Sequence, residues 1–485
     1  MGIVQLFDAF SEWITGVVFF SVNIGGATLP LIVFWLAIAG VFFTFYLGFM
    51  NVRGFKLAID LVRGKYSDPK DAGEVSHFQA LATAVSGTVG LGNIAGVAVA
   101  ISIGGPGATF WMIVAGFLGM STKMAECMLA VKFRREREDG TVSGGPMYYL
   151  TDGLKSIGLG TFGKILAVIY AICMIGGSLG GGNMFQSNQA TAQVIGVTGG
   201  DNSPLAGLGW VVGLGFALLV GVVIIGGIKS IARVTEKIVP FMAVLYITAC
   251  LVVIIVNVNM VPAAFGQIID GAFTGAGATG GVIGALIVGF QRAAFSNEAG
   301  LGSAAVAHSA VRTKEPATEG FVAALEPFID TIVICTMTAL AIVITGAWND
   351  PDASRVGGVG LTSRAFETVL PWFPIVLAVA VILFAFSTML SWAYYGMKAV
   401  SYLSGENRIA ENAYKVIFCV FTVIGAAAGL DSVINFSDSM IFLLGLFNII
   451  GLYLLAPVIR REIVGYFNRV RSGEVKQVEH HERSH

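Results

Sequence analysis

The sequence predicts an all-α integral membrane protein of 11 transmembrane helices, arranged as a 5+5 inverted repeat (spans 2–6 and 7–11) behind one N-terminal span. Three observations carry that expectation. The 485-residue chain is 55% hydrophobic and 12% charged, with a mean hydropathy of +0.80, whereas charged residues make up about 25% of a soluble domain. Its apolar stretches repeatedly reach the roughly 20 residues that a helix needs to cross the hydrocarbon core. Two of them are interrupted by the same device, Gly90-Leu91-Gly92-Asn93 and Gly300-Leu301-Gly302-Ser303.

The interruptions are costly in lipid. Each glycine weakens a helix interior by about 1 kcal/mol relative to alanine, and a freed backbone N–H or C=O costs several kcal/mol unless something satisfies it. Paired interrupted helices at equivalent places in two halves point to the binding site of a secondary transporter.

Taken in order, residues 1–22 place Phe7, Phe10, Trp13, Ile14, Val17 and Val18 at helical spacing opposite Asp8 and Glu12, the pattern of a helix lying along the membrane interface. A span follows at 27–49, then a polar, basic loop at 50–75. Ser76-His77-Phe78-Gln79 has the form of a capping box opening the first interrupted helix. No charged side chain occurs from Val75 to Thr122, which accommodates spans 2 and 3 divided at Gly104-Gly105-Pro106-Gly107. A charged loop runs to about residue 164. Further spans are expected at 162–195, 205–228, 237–259, 280–312 (the second interruption), 320–346, 372–400, 412–430 and 436–459. Repeat one thus covers 76–259 and repeat two 280–459, with a charged tail at 460–485, mobile towards its end.

Alternate loops fall on alternate sides. All 29 Lys and Arg except Arg292, Arg355 and Arg364 fall on one side or its flanks, which the positive-inside rule makes cytoplasmic. The N-terminus is then outside and the C-terminus cytoplasmic, in a multi-pass protein of the cell membrane. Spans 2 and 7 stand an odd number of spans apart, so they cross in opposite directions. The net charge of −1 adds nothing about partners, and no nucleic-acid partner is expected. The five cysteines (Cys127, Cys173, Cys250, Cys335 and Cys419) lie in apolar stretches and read as buried small residues. No Cys/His cluster has metal spacing, and His480-His481 reads as a solvated end. No nucleophile–base pair suggests an enzyme.

Four segments carry a family resemblance: Gly87-Thr88-Val89-Gly90-Leu91-Gly92-Asn93-Ile94-Ala95-Gly96-Val97, Gly104-Gly105-Pro106-Gly107-Ala108-Thr109-Phe110-Trp111-Met112, Ser143-Gly144-Gly145-Pro146-Met147-Tyr148 and Phe295-Ser296-Asn297-Glu298-Ala299-Gly300-Leu301-Gly302-Ser303. Over about residues 40–460 the chain resembles the alanine/glycine:cation symporters. The resemblance implies the LeuT-type fold of the amino acid–polyamine–cation superfamily, a small neutral amino acid as substrate, sodium as coupling ion and no organic cofactor.

Site candidates follow from both readings. In span 2 the opened backbone at Gly90 and Gly92 can hold a carboxylate, as helix N-termini hold anions. There Thr88 and Asn93 either touch substrate or repair the helix. Ser296 and Asn297 can cap the second half-helix of span 7 or meet substrate, and Glu298 suits the helix dipole or the coupling ion. Phe295 and Trp392 can wall the side chain or simply pack. Gln186 is the candidate for polar substrate contact among the span 4 amides. The resemblance places sodium between Gly87 and Gly90 of span 2 and the hydroxyls of Ser387 and Thr388 in span 9; the alternative is hydroxyls bonded to their own helix. Among the ionisable groups at membrane depth (Glu126, Arg292, Glu298 and Asp330), Arg292 is expected to pair with Glu298 or Asp330. No lysine is expected near mid-membrane, which favours sodium over protons, and His308 reads as a helix-surface group. The function expected is import of alanine or glycine with sodium by alternating access; the alternative is a proton-coupled or exchange carrier of the same fold.

Overall fold

Helix is the arrangement that lets an isolated segment satisfy its own backbone in lipid, and the computed structural model is built almost wholly from it. It describes residues 3–24, 27–66, 68, 71–136, 141–276, 280–349 and 358–477; Lys70, Arg355 and His480-His481 lie outside them. Among the described residues, seven helices are long and apolar enough to cross a membrane: Gly107–Lys132, Gly160–Val197, Gly227–Val256, Pro316–Ile344, Phe373–Leu403, Arg408–Ala427 and Leu430–Leu454. An eighth crossing is the bent pair His77–Thr88 and Gly92–Gly104, whose halves meet at 49°. The other three predicted segments hold shorter helices: Leu31–Tyr46, Gly209–Ile224 and Gly281–Asn297.

Several boundaries differ from expectation, each for a local reason. Residues 27–30 are not helical: Ser21–Ile24 and Ala27–Pro30 pair as a short antiparallel hairpin, and the helix starts after Pro30, which lacks the donor a preceding turn would use. Helix Ile3–Val18 lays Ile14 and Val18 against Leu430–Leu454, with the Phe7 and Phe436 rings 5.4 Å apart. Phe10, Trp13 and Val17 remain exposed on its other side. Helix Gly107–Lys132 runs ten residues past the point where the charged loop is expected to begin. Much of the expected tail is helix Ala456–Arg471, whose Ile459, Ile463 and Tyr466 are buried and whose Arg469 donates to Glu315 at 2.7 and 3.0 Å.

Backbone pairing ties the two interrupted helices together at one end. Val75, just before the first, bridges Val311, just after the second, in parallel. Glu74 N–H donates to the Ala310 carbonyl at 2.8 Å and Arg312 N–H to the Val75 carbonyl at 2.8 Å. The Arg134 guanidinium covers this junction, donating to the carbonyls of Ala72, Ser309, Val311 and Thr313. One side chain therefore satisfies four backbone acceptors that neither helix can reach.

Candidate functional site at the paired interruptions

The first interruption is opened by glycine and held open by amides. The Ser76/Gln79 capping box starts helix His77–Thr88, which stops at Val89, where ψ turns to 83°. Gly90 N–H donates to Asn93 Oδ1 at 2.9 Å and Leu91 N–H to Gln186 Oε1 at 3.1 Å. Those two amides satisfy donors that the broken helix has lost. The Thr88 hydroxyl lies on the carbonyls of Ala84 and Val85 at 3.3 and 3.4 Å. At Gly92 an added Cβ would sit 3.2 Å from the Ser296 Cα, so glycine permits the two interruptions to touch.

The second interruption begins where Gly281–Asn297 ends in a left-handed Glu298, at φ 57°. Gly300 and Gly302 follow at φ 84° and 77°, a conformation that favours glycine. Asn297 Oδ1 accepts the Ala299 N–H at 2.9 Å, and its Nδ2 donates to Thr331 Oγ1 at 2.9 Å. The Glu298 carboxylate accepts from Ser303 Oγ and, at 2.9 Å, from Trp392 Nε1.

Asp330 joins the two. Its Oδ1 accepts from Asn93 Nδ2 at 2.6 Å and from Ser296 Oγ at 3.1 Å, and its Oδ2 from Thr331 Oγ1 at 2.7 Å. Asp330 is completely buried, and among the described residues no Lys, Arg or His pairs with it. It sits in the π-helical stretch Phe328–Cys335, and the π-helical stretch Gly92–Gly96 packs against it. Such stretches shift the ladder by one residue and gather at functional sites.

Two aromatics and a glycine run form the adjoining wall. The Phe295 ring meets Phe185 at 5.2 Å. A Cβ at Gly181 would lie 3.5 Å from Phe295 Cε2, and one at Gly182 would lie 2.2 Å from Trp392 Cγ. The helix that carries Trp392, Phe373–Leu403, also presses on the first half-helix: Thr388 Oγ1 donates to the Ser86 carbonyl at 2.9 Å, and Ser391 Oγ to the Thr83 carbonyl at 2.7 Å. Gly90 allows that approach, since its Cβ would stand 2.3 Å from Thr388 Oγ1. Gly87 lies against Ser391 and Tyr395. Ser387 stands apart, its hydroxyl directed to the Phe384 carbonyl at 3.0 Å and Met242 Sδ at 3.4 Å.

The structure thus gathers Gly90, Gly92, Asn93, Gln186, Ser296, Asn297 and Thr388 around one region, with Phe295 and Trp392 beside it. Three charged-group expectations are corrected. Arg292 pairs with Asp438 rather than Glu298 or Asp330, and lies 5.3 Å over the Phe295 ring. Lys123 is fully buried within helix Gly107–Lys132, 3.7 Å from Glu126 and 3.5 Å from Glu326, where no intramembrane lysine is expected. His308 is buried too, 2.6 Å from Glu319, not on a helix surface. Sequence reasoning also missed Asp330 as the hub, although its place in an apolar run marks it as a functional group.

A cavity of about 830 Å³ opens nearby between Asn188–Val197 and helix Gly358–Glu367. Gln189 Oε1 accepts the Val359 N–H at 3.1 Å, and Thr362 Oγ1 donates to the Ile94 carbonyl at 3.0 Å. Helix Gly358–Glu367 therefore rests directly on the opened segment.

Comparison with known proteins decides the family. The sodium:alanine symporter family matches residues 14–480. The chain belongs to that family. It is 41% identical over 448 residues to the sodium/alanine symporter AgcS of Methanococcus maripaludis, covering 92% of this chain and 96% of the relative. It is 32% identical over 448 residues to the probable sodium/glutamine symporter GlnT of Bacillus subtilis, with 92% and 89% covered. The solved structure of MhsT in complex with L-phenylalanine superposes with a TM-score of 0.53 at 15% identity, covering 81% of this chain and 99% of that one. That likeness carries the fold alone, which is the LeuT type. This member of the family is a multi-pass membrane transporter.

Asn93 gives the site a direct stability test. Asn93→Ala leaves the Gly90 N–H only the Thr88 carbonyl, at 2.8 Å, and removes a donor from buried Asp330, at about 1–3 kcal/mol for a group left unsatisfied. Thr88→Val removes only long bonds within its own helix. Thermal unfolding in detergent is expected to show a clearly larger loss for Asn93→Ala than for Thr88→Val; equal losses would mean the Asn93 bridge holds nothing.

Proposed function

We propose that this protein imports a small neutral amino acid, alanine or glycine, with sodium by alternating access. The single observation that supports this reading most is the Asn93–Asp330–Ser296 junction, a buried carboxylate without a cationic partner among the described residues, where two opened helices meet. A hard cation prefers oxygen ligands, and Asp330 offers the charge with Ser296 Oγ and the opened backbone around it. A second sodium fits the approach of Thr388 to the Ser86 carbonyl and the backbone from Gly87 to Gly90. Ser387 is outside this set because its hydroxyl serves its own helix. The substrate carboxylate would take the Leu91 N–H in competition with the Gln186 amide oxygen, while Thr88, Gly92 and Asn297 shape the surroundings.

Uptake of labelled alanine into proteoliposomes tests the reading. Replacing sodium by potassium is expected to abolish uptake. Asp330→Asn is expected to raise the half-saturating sodium concentration at least tenfold, equivalent to about 1.4 kcal/mol. Sodium-independent uptake, or an unchanged half-saturation in the variant, would defeat the sodium assignment.

Substrate size follows from Phe295 and Trp392 flanking Gly181 and Gly182. Added methylenes in a filled site cost on the order of 1–3 kcal/mol, enough to exclude branched side chains. Competition by unlabelled amino acids against labelled alanine is expected to favour alanine and glycine over leucine in the wild type, and to widen towards valine and leucine in Phe295→Ala. Equal competition by leucine in the wild type would reject the small pocket.

The same reading takes 11 spans in a 5+5 inverted repeat, with the N-terminus outside and the basic loops and C-terminus cytoplasmic. On a background lacking the five native cysteines, Asn202→Cys is expected to react with an impermeant thiol reagent added to intact cells, and Ser404→Cys to resist it. Both positions are exposed, so the reverse pattern would invert the topology.

A further inference from the structure

A second polar cluster lies beside the far end of the second interruption, apart from the junction at Asp330. Lys123 and Glu126 enter it from Gly107–Lys132, His308 from Ala305–His308, Glu319 and Glu326 from the first turns of Pro316–Ile344, and His77 from the start of the first interrupted helix. All six are buried. Glu319 lies between two imidazoles, with Oε2 2.5 Å from His77 Nδ1 and Oε1 2.6 Å from His308 Nδ1. The other nitrogen of His308, Nε2, faces Glu326 Oε2 at 3.4 Å. Glu326 Oε1 is 3.5 Å from Lys123 Nζ, which is 3.7 Å from Glu126 Oε1. Glu126 Oε2 accepts from the Gly302 N–H at 3.1 Å and from Asn448 Nδ2 at 2.9 Å. Lys123 Nζ, Glu126 Oε1 and Glu326 Oε1 are buried with no hydrogen bond.

We propose that this cluster is a proton-binding site, with the exchangeable proton between His308 Nε2 and Glu326, and that its occupancy is linked to sodium binding through the opened segment at Gly302. Geometry requires that proton. One ring cannot face a carboxylate through each nitrogen unless a proton stands on both lines: one on Nδ1 towards Glu319, the other on Nε2 or on Glu326 itself. Charge requires it as well. Three carboxylates, Glu126, Glu319 and Glu326, face one lysine and, besides His308, the His77 imidazole at Glu319, and an unpaired buried charge is strongly destabilising. Loss of the proton turns a lone pair towards a carboxylate and leaves the full charge of Glu326 pulling on Lys123. Lys123 is then drawn away from Glu126, one hydrogen bond short of the backbone of Gly302. The other titratable groups facing the cluster include Cys127 on the helix of Lys123, Glu298 across from Lys123, Tyr149 and Tyr170 towards Glu126, Asp330 four residues after Glu326 in the same helix, and Tyr395 on helix Phe373–Leu403. Glu298 is occupied by Ser303 and Trp392.

The sign follows from like charges. A proton gained here adds positive charge beside Glu326, four residues before Asp330 in the same helix, so protons and sodium compete, and by linkage each lowers the affinity of the other by the same factor. The inference rests on the sodium reading above, and the experiment separates the two. Sodium chloride is titrated into the purified full chain in a calorimeter, in two buffers of different ionisation enthalpy near neutral pH. Sodium binding is expected to release protons, so the measured heat differs between the buffers. The half-saturating sodium concentration is expected to rise about fivefold or more as the pH falls from about 9 to about 6. Glu326→Gln, which keeps the shape and loses the charge, is expected to flatten that dependence, as is His308→Asn. Sodium binding with buffer-independent heat in the wild type overturns the proton site, whether or not either variant folds. A wild-type pH profile in both variants overturns its location. An absence of sodium binding at every pH overturns the sodium reading itself, and this inference with it.

Discussion

Burying a carboxylate in a membrane protein without a cationic partner among the described residues is the constraint on which the site depends. Asp330 is tolerated because three donors, Asn93 Nδ2, Ser296 Oγ and Thr331 Oγ1, converge on it. Two of those donors come from the two interrupted helices and the third from the π-helical stretch that presents Asp330 itself. Removing any one leaves a charge partly unsatisfied, in surroundings where that is far more expensive than in water. The hub therefore holds both breaks in register, while Gly92 lets the backbone at Ser296 close to contact and Gly90 admits the Thr388 hydroxyl.

The remaining parts of the site are consequences of satisfying a broken backbone. Asn93 and Gln186 supply acceptors to Gly90 and Leu91, while Asn297 supplies one to Ala299. Each of these amides is also a group that can exchange its partner for a ligand. A transporter needs donors that are never left bare in lipid yet remain available, and side-chain amides meet both demands, Asn93 and Asn297 from within the broken segments and Gln186 from a neighbouring helix.

Much of this was legible in the sequence. The paired Gly-Leu-Gly motifs marked both interruptions, and Ser76/Gln79 marked the start of the first, because those signals are local. What was not legible depended on partners distant in the chain. Asp330 meets Asn93 across 237 positions, so its role as hub could not be read from its neighbours. Arg292 had several carboxylates to choose from, and the packing of Gly281–Asn297 against Leu430–Leu454 selected Asp438. The uncharged run ends at Thr122, which puts Lys123 at the start of a loop, yet the helix continues to Lys132 and Glu126 and Glu326 take the charge inward. The shortness of the helices at 31–46, 209–224 and 281–297 likewise reflects hairpins and glycine ends that hydropathy averages over.

The most direct measurement of the central claim is a structure of the full chain determined by electron cryomicroscopy in lipid with sodium and alanine. The account predicts substrate density between the opened segment at 88–93 and the second break at 295–298, with its carboxylate at the Leu91 N–H and an ion beside Asp330. Density confined to the cavity between Asn188–Val197 and helix Gly358–Glu367, with nothing bound between the two interruptions, would contradict it.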